Sequence, residues 1–299
     1  MKKLFWALCS VLVLASCKDF NKGFQAGYEN AQNDAAIQDS IEDNTIELYA
    51  FDGGSIMAHN KNLFAQGETY KGDSIKLADA FYVIKHPKGI LIWDTGLPEN
   101  LVGNKPYTTP DGTLTMSRKD SIVKQLATIG LLPDDVDFIG LSHIHSDHTG
   151  AANHFGDATW LVQQSTLDFM QGDSIKGDAF YDPDSFTALK NKKIIDNADY
   201  DVFGDGRVVI KYLPGHTAGH SALFLDLAEA GPIVLSGDTY HFEQNREDTI
   251  VPQFNYSIPE SESSIKTFED FVDQKGAAVI IQHDPEDFNA MTKAPKPIK

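Results

Sequence analysis

From Thr45 onward, short apolar runs recur between polar turns, and their spacing predicts the elements. Residues 46–51, 81–84, 89–93, 137–141, 160–162, 207–210, 222–225, 233–235 and 278–281 read as strands. The turn at Pro87-Lys88-Gly89 joins two of them as a hairpin. Residues 121–127 repeat apolar positions at helical spacing. Ser257 and Glu260 offer a capping box to a helix whose buried face would carry Ile265, Phe268 and Val272. Strands in blocks with helices between them predict a layered α/β fold with function in loops at strand ends. There is no internal repeat and no linker within 44–299.

The first residues read differently. Lys2 and Lys3 precede an apolar run over 4–15, whose 12 residues are too few for a bilayer that a helix needs about 20 to cross. Leu14-Ala15-Ser16-Cys17 resembles the lipobox of bacterial lipoproteins, which implies a signal peptide over 1–16 and a lipidated Cys17. Residues 17–43, rich in Asn, Gln, Asp and Ala, suit a solvated tether, with a short surface helix as the competing reading. The expectation is an exported protein, either an envelope lipoprotein (periplasmic or outer-membrane associated) or a secreted one. Its membrane contact would be the N-terminal lipid anchor alone, and its oligomeric state is left open.

Composition narrows the chemistry. The chain has 299 residues, 41% of them hydrophobic, which is ordinary globular usage. Its 25 basic and 43 acidic residues give −18, and without Lys2 and Lys3 the balance of 23 against 43 is −20. No basic patch interrupts that field, so nucleic acid is excluded as a partner. Cys9 and Cys17 are the two cysteines, so 44–299 holds no disulfide, thiolate zinc site or cysteine nucleophile.

Three of the 10 histidines fall within the run His143-Ile144-His145-Ser146-Asp147-His148. Composition alone would produce such a run in roughly one in a thousand chains of this length. In an extended backbone His143 and His145 point the same way, toward one ion, while Asp147 and His148, past the bend, can face a second. Nitrogen and oxygen donors without sulfur suit zinc, with iron, cobalt or manganese as alternatives. Four ligands cannot complete two sites. His216, Asp238 and His283, each in a turn after a predicted strand, supply the remainder. His220 reads as a turn or supporting histidine, and His59, His86 and His154 as structural.

These residues, with Trp93-Asp94-Thr95-Gly96 upstream, resemble the metallo-β-lactamase superfamily. The resemblance implies an αββα four-layer sandwich. It assigns His143, His145 and His216 to one metal, Asp147, His148 and His283 to the other, and Asp238 to a bridge. Asp94 would orient a ligand. Several branches fit poorly: oxygen reductases replace the second histidine with Glu, nucleases add basic contacts, and glyoxalase-type thioesterases add a helical domain where 16 residues follow His283 here. Many zinc β-lactamases lack the bridging aspartate. Closest in pattern are the N-acyl homoserine lactonases, through residues 90–96, 215–224 and the stretch from Ser236 to Asp284. They imply attack of a metal-bridging hydroxide on an acyl lactone, with Asp147 or Asp238 relaying the proton. Their pattern places a substrate-contacting tyrosine three residues after the bridging aspartate. Here that place holds His241, with Tyr240 one earlier, so either is a candidate donor. Another ester, lactone or phosphotriester hydrolase is the alternative, and a non-catalytic metal-binding lipoprotein a further one.

Overall fold

Alternation along strand β1 (Glu47–Ala58) shows why the larger sheet is covered on both faces. Leu48 and Ala50 point to one side, Tyr49 and Phe51 to the other, and all four are buried. The computed structural model describes residues 44–299; the signal segment at 1–16 and the tether at 17–43 lie outside the described residues. β1 pairs with β2 (Ile75–His86), which turns through Pro87 and Lys88 into β3 (Gly89–Trp93) in the antiparallel register Tyr82↔Trp93, Ile84↔Leu91, the hairpin that the turn signal predicts.

The sheet is completed by β4 (Tyr107–Thr108), β5 (Leu114–Ser117), β6 (Phe138–Gly140), β7 (Thr159–Gln163) and β8 (Lys192–Ile195), in the order β4-β5-β1-β2-β3-β6-β7-β8. A second sheet contains β9 (Tyr200–Asp201), β10 (Val208–Tyr212), β11 (Ser221–Leu227), β12 (Gly231–Leu235) and β13 (Ala278–Ile280), in the order β13-β12-β11-β10-β9.

Three apolar layers follow from these faces. Leu48, Tyr82, Leu91 and Trp93 of the first sheet meet Ile210, Leu223, Leu225 and Leu235 of the second in the central core. The outer face of the first sheet packs Phe51, Phe81 and Ile92 against helices α1 (Ile122–Ala127) and α3 (Gln164–Gln171) through Ile122, Leu126 and Phe169. The outer face of the second packs Phe224 and Val234 against Ile265, Phe268 and Val272 of α5 (Ile258–Lys275). The result is the αββα sandwich. Shorter helices are α2 (Ser146–Thr149), α4 (Glu243–Glu247) and α6 (Pro285–Ala290). Among the described residues no helix is long and apolar enough to cross a membrane.

Two local expectations change. β1 runs past residue 51 to Ala58 by absorbing a bulge between Asp52 and Gly54. At α5 only half of the capping box forms. Ser257 Oγ accepts the Glu260 N–H, but the Ser257 N–H is taken by Gly215 O at 2.9 Å, which ties the helix start to the loop carrying His216. Gly96 is required after β3: its φ is +74°, and a Cβ there would lie 2.6 Å from Gly53 Cα.

Candidate metal centre

Asp94 follows β3 in the left-handed region with φ 59°, a conformation that costs a non-glycine residue of order 1–3 kcal/mol. Its hydrogen bonds hold it there. Asp94 Oδ1 accepts Ser142 N–H at 2.6 Å, and Oδ2 accepts Gln282 Nε2–H at 2.8 Å and His148 Nδ1–H at 3.0 Å. The loop after β6 is thereby fixed at its start, and it delivers His143, His145, Asp147 and His148 through the turn into α2. His216 comes from the loop after β10, Asp238 from that after β12, and His283 from that after β13.

These residues converge as two groups whose donor atoms lie within 4.8 Å of one another: His143, His145, His216 and Asp238, and Asp147, His148 and His283. Asp238 stands between them. Its Oδ2 is 3.3 Å from His216 Nε2 and 3.8 Å from His143 Nε2, while Oδ1 is 3.2 Å from the Nε2 atoms of both His148 and His283.

The donor set fits divalent cations. His216 Nδ1 donates to Asn255 Oδ1 at 2.9 Å, His148 Nδ1 to Asp94, and His283 Nδ1 to Ala78 O at 2.8 Å. With those protons assigned from their partners, each ring turns a bare Nε2 inward. His148 Nε2 and His283 Nε2 then face each other at 3.1 Å, as do His216 Nε2 and His145 Nδ1. Lone pairs opposed at that distance repel unless a cation lies among them. The buried Asp238 Oδ1 likewise has no hydrogen bond of acceptable geometry.

Electrostatics separates the groups. Burial, reinforced by neighbouring imidazoles, holds His143 and His216 well below the usual histidine range. Burial acts the same way on His148 and His283, but for these it is outweighed by carboxylates, chiefly Asp238. His148 is raised well above the ordinary value and His283 to about 9. Without a metal, the second group holds a proton where it would otherwise hold a cation.

The site opens into a cavity of about 950 Å³. Ile56, Leu63, Leu77, Met116, Phe180 and Phe254 are among its apolar walls, and Asp147, Asp238, His241 and His283 lie at its polar end. His241 Nε2 is 3.1 Å from Asp238 Oδ2, and its ring packs 4.7 Å from that of Phe64. Tyr240 must be corrected as a candidate substrate contact. Its hydroxyl donates to Glu269 Oε1 at 2.8 Å and its ring packs on Phe268 of α5, because adjacent residues of this extended segment face opposite ways. His220 is a supporting residue: its Nδ1 meets Leu213 O and its Nε2 accepts the Asp238 N–H at 2.9 Å. His59, His86 and His154 lie elsewhere, on Thr115, Asp205 and Glu99.

The sequence reading missed Asp79, Asp178, Asn255 and Gln282. Asp178 Oδ2 is 3.2 Å from His145 Nε2. Asp79 is buried beside the second group, its Oδ2 accepting Leu97 N–H at 2.7 Å, and burial raises its carboxyl to about 7. Gln282 is marked only by its place beside His283; the others sit in segments whose spacing carries no signal.

Known proteins resemble the chain over most of this span. It is 29% identical over 262 residues to the N-acyl homoserine lactonase AttM of Azorhizobium caulinodans, covering 84% of this chain and 97% of that protein. It is 28% identical over 245 residues to the N-acyl homoserine lactonase AiiA of Bacillus thuringiensis subsp. kurstaki, covering 80% and 94%. A solved N-acyl homoserine lactone hydrolase, with the product N-hexanoyl-L-homoserine at its catalytic metal centre, superposes with a TM-score of 0.75 at 26% identity, over 85% of this chain and all of that one. The profile of the metallo-beta-lactamase superfamily matches residues 80–283. That match begins on β2 and closes on His283, so it encloses every motif from Asp94 onward, and the chain belongs to the metallo-beta-lactamase superfamily.

Proposed function

We propose that the protein opens the lactone ring of N-acyl homoserine lactones, using two divalent cations, zinc by the donor chemistry, with iron, cobalt or manganese as alternatives. His143, His145 and His216 would hold one, Asp147, His148 and His283 the other, and Asp238 would bridge them. The observation that carries this reading is the split of the Asp238 carboxylate between two histidine groups at the polar end of a largely apolar cavity. The names of the relatives and of the superposed enzyme support the substrate class. Bound there, the cations supply Lewis acidity and a water-derived nucleophile at neutral pH.

The chain's own groups do the rest. The apolar walls take the acyl chain and exclude water from the reacting carbonyl. As the acyl C–O bond breaks, the ring oxygen needs a proton. Asp147 is suited to relay it, since its side chain is 22% exposed and lines the cavity, whereas that of Asp238 is 4% exposed with one oxygen turned to each histidine group. His241 lines the cavity with its Nε2 on Asp238 Oδ2 and is the remaining candidate for a hydrogen bond to an incoming lactone. Export as a lipid-anchored envelope protein, or secretion, is proposed on the sequence of residues 1–17 alone.

The deciding experiment measures kcat/KM on a chain-length series of acyl homoserine lactones beside a phosphotriester, with metal content assayed in parallel. Lactones should be preferred by at least about tenfold, and Asp238→Ala should lose metal and turnover together. A fully loaded protein inert toward lactones, or an Asp238→Ala variant retaining two tightly held ions, overturns the assignment.

A further inference from the structure

Two of the three histidines in the first group draw their outer hydrogen bonds from segments that also wall the cavity. Asp178 Oδ2 faces His145 Nε2, and Asp178 Oδ1 accepts the Phe180 N–H at 2.9 Å. Phe180 O accepts the Ser146 N–H at 2.8 Å, and the Phe180 ring lies 5.4 Å from that of His145. On the opposite side Asn255 holds His216, and the adjacent Phe254 ring lies 5.7 Å from His216 and 5.2 Å from Phe180. The aromatic wall and the metal-facing imidazoles thus share their supports.

His145 is distinctive because its Nδ1, not its Nε2, faces His216 at 3.1 Å. For Nδ1 to bind a cation it must be bare, so the ring proton must sit on Nε2, where Asp178 accepts it. We infer that Asp178 is a positioning residue that sets the His145 tautomer and couples cation binding to the order of the Phe180 wall. One carboxylate serves both tasks, one oxygen each. An ion on Nδ1 strengthens the Nε2–H donor, which tightens its bond to Asp178 and, through Oδ1, the turn that carries Phe180. An amide in its place has one acceptor and one donor and cannot serve both.

The test uses the full chain with zinc as the probe. In Asp178→Ala, competition with a chelator should show zinc affinity at one of the two sites reduced about 10–100-fold. In the wild type, amide hydrogen exchange at Phe180 should slow on zinc loading; in Asp178→Ala that slowing should disappear. Asp178→Asn, which keeps the shape, should still lose at least one of the two properties. Zinc affinity within twofold of wild type in Asp178→Ala, equal Phe180 exchange in zinc-free and zinc-loaded wild type, or an Asp178→Asn variant normal in both respects overturns the inference. One further arm rests on the lactonase reading: at saturating zinc, Asp178→Ala should recover kcat on a long-chain lactone but keep a KM raised about fivefold or more. An unraised KM there overturns the coupling to the wall. Should the loaded wild type turn over no lactone, that reading fails, and zinc affinity and amide exchange still decide this one.

Discussion

At the scale of single residues, position 241 separates this chain from the pattern it resembles. His241 meets Asp238 inside the cavity, while Tyr240 is spent on Glu269, which also accepts from Arg246 Nε at 2.9 Å. Tyr240→Phe should therefore cost about 1 kcal/mol of stability and leave kcat within twofold. His241→Ala should lower kcat about 10²-fold at constant metal content. Equal effects of the two, by parallel kinetics and metal analysis, would contradict the assignment. The second metal group makes a pH prediction. His283 rises to about 9 in the folded metal-free protein against about 6.5 when unfolded. A raised histidine stabilises the fold fully below pH 6.5 and loses that contribution as pH climbs through 9. The metal-free protein should lose stability across that window. Zinc uptake at pH 7 should expel the proton held by this group, so calorimetry in buffers of different ionisation enthalpy should record a proton release that falls as pH climbs through 9.

At the scale of elements, legibility followed burial. The runs 46–51, 81–84 and 89–93 are apolar on both faces and were readable as strands, although β1 continues to Ala58 and β2 begins earlier, at Ile75; α5 was readable from Ile265, Phe268 and Val272. β4 and β5 were not: Tyr107 is exposed and residues 114–117 are half-buried, so their pattern resembles a loop, and β5 exists because β1 extends past its bulge to pair Ile56 with Met116. The seven candidate ligands were legible because metal chemistry restricts residue type and spacing. Their supports were not, since an Asp or Asn that turns an imidazole can come from any loop the fold brings near. The join between β1 and the Asp94 turn is a steric matter that one substitution exposes. Gly96→Ala puts a Cβ against Gly53 at a positive φ and should destabilise by roughly 2–5 kcal/mol. A urea midpoint unchanged from wild type would show that the backbone yields more easily than this packing implies.

At the scale of the whole molecule, the described fold closes on itself. Residues 46–299 form one compact unit. The part of β1 that β5 does not reach is covered from the far end of the chain: Leu48 and Ile298 exchange backbone hydrogen bonds at 2.8 Å, and Ala294 N–H reaches Ala50 O at 3.0 Å. That covers an otherwise open sheet edge, the usual route to unwanted strand pairing. Every one of the four apolar clusters among the described residues is built from Ile46 onward, and so is each of the seven candidate ligands. Burial of apolar surface is the main favourable contribution to folding, and residues 17–43, rich in Asn, Gln, Asp and Ala, carry few apolar side chains to bury. Deleting residues 1–43 should therefore yield a soluble protein with an unchanged urea midpoint, full metal content and kcat/KM on a lactone within twofold of the full chain. Unfolding of the truncated protein, or lost turnover at equal metal loading, would make that segment part of the folded enzyme.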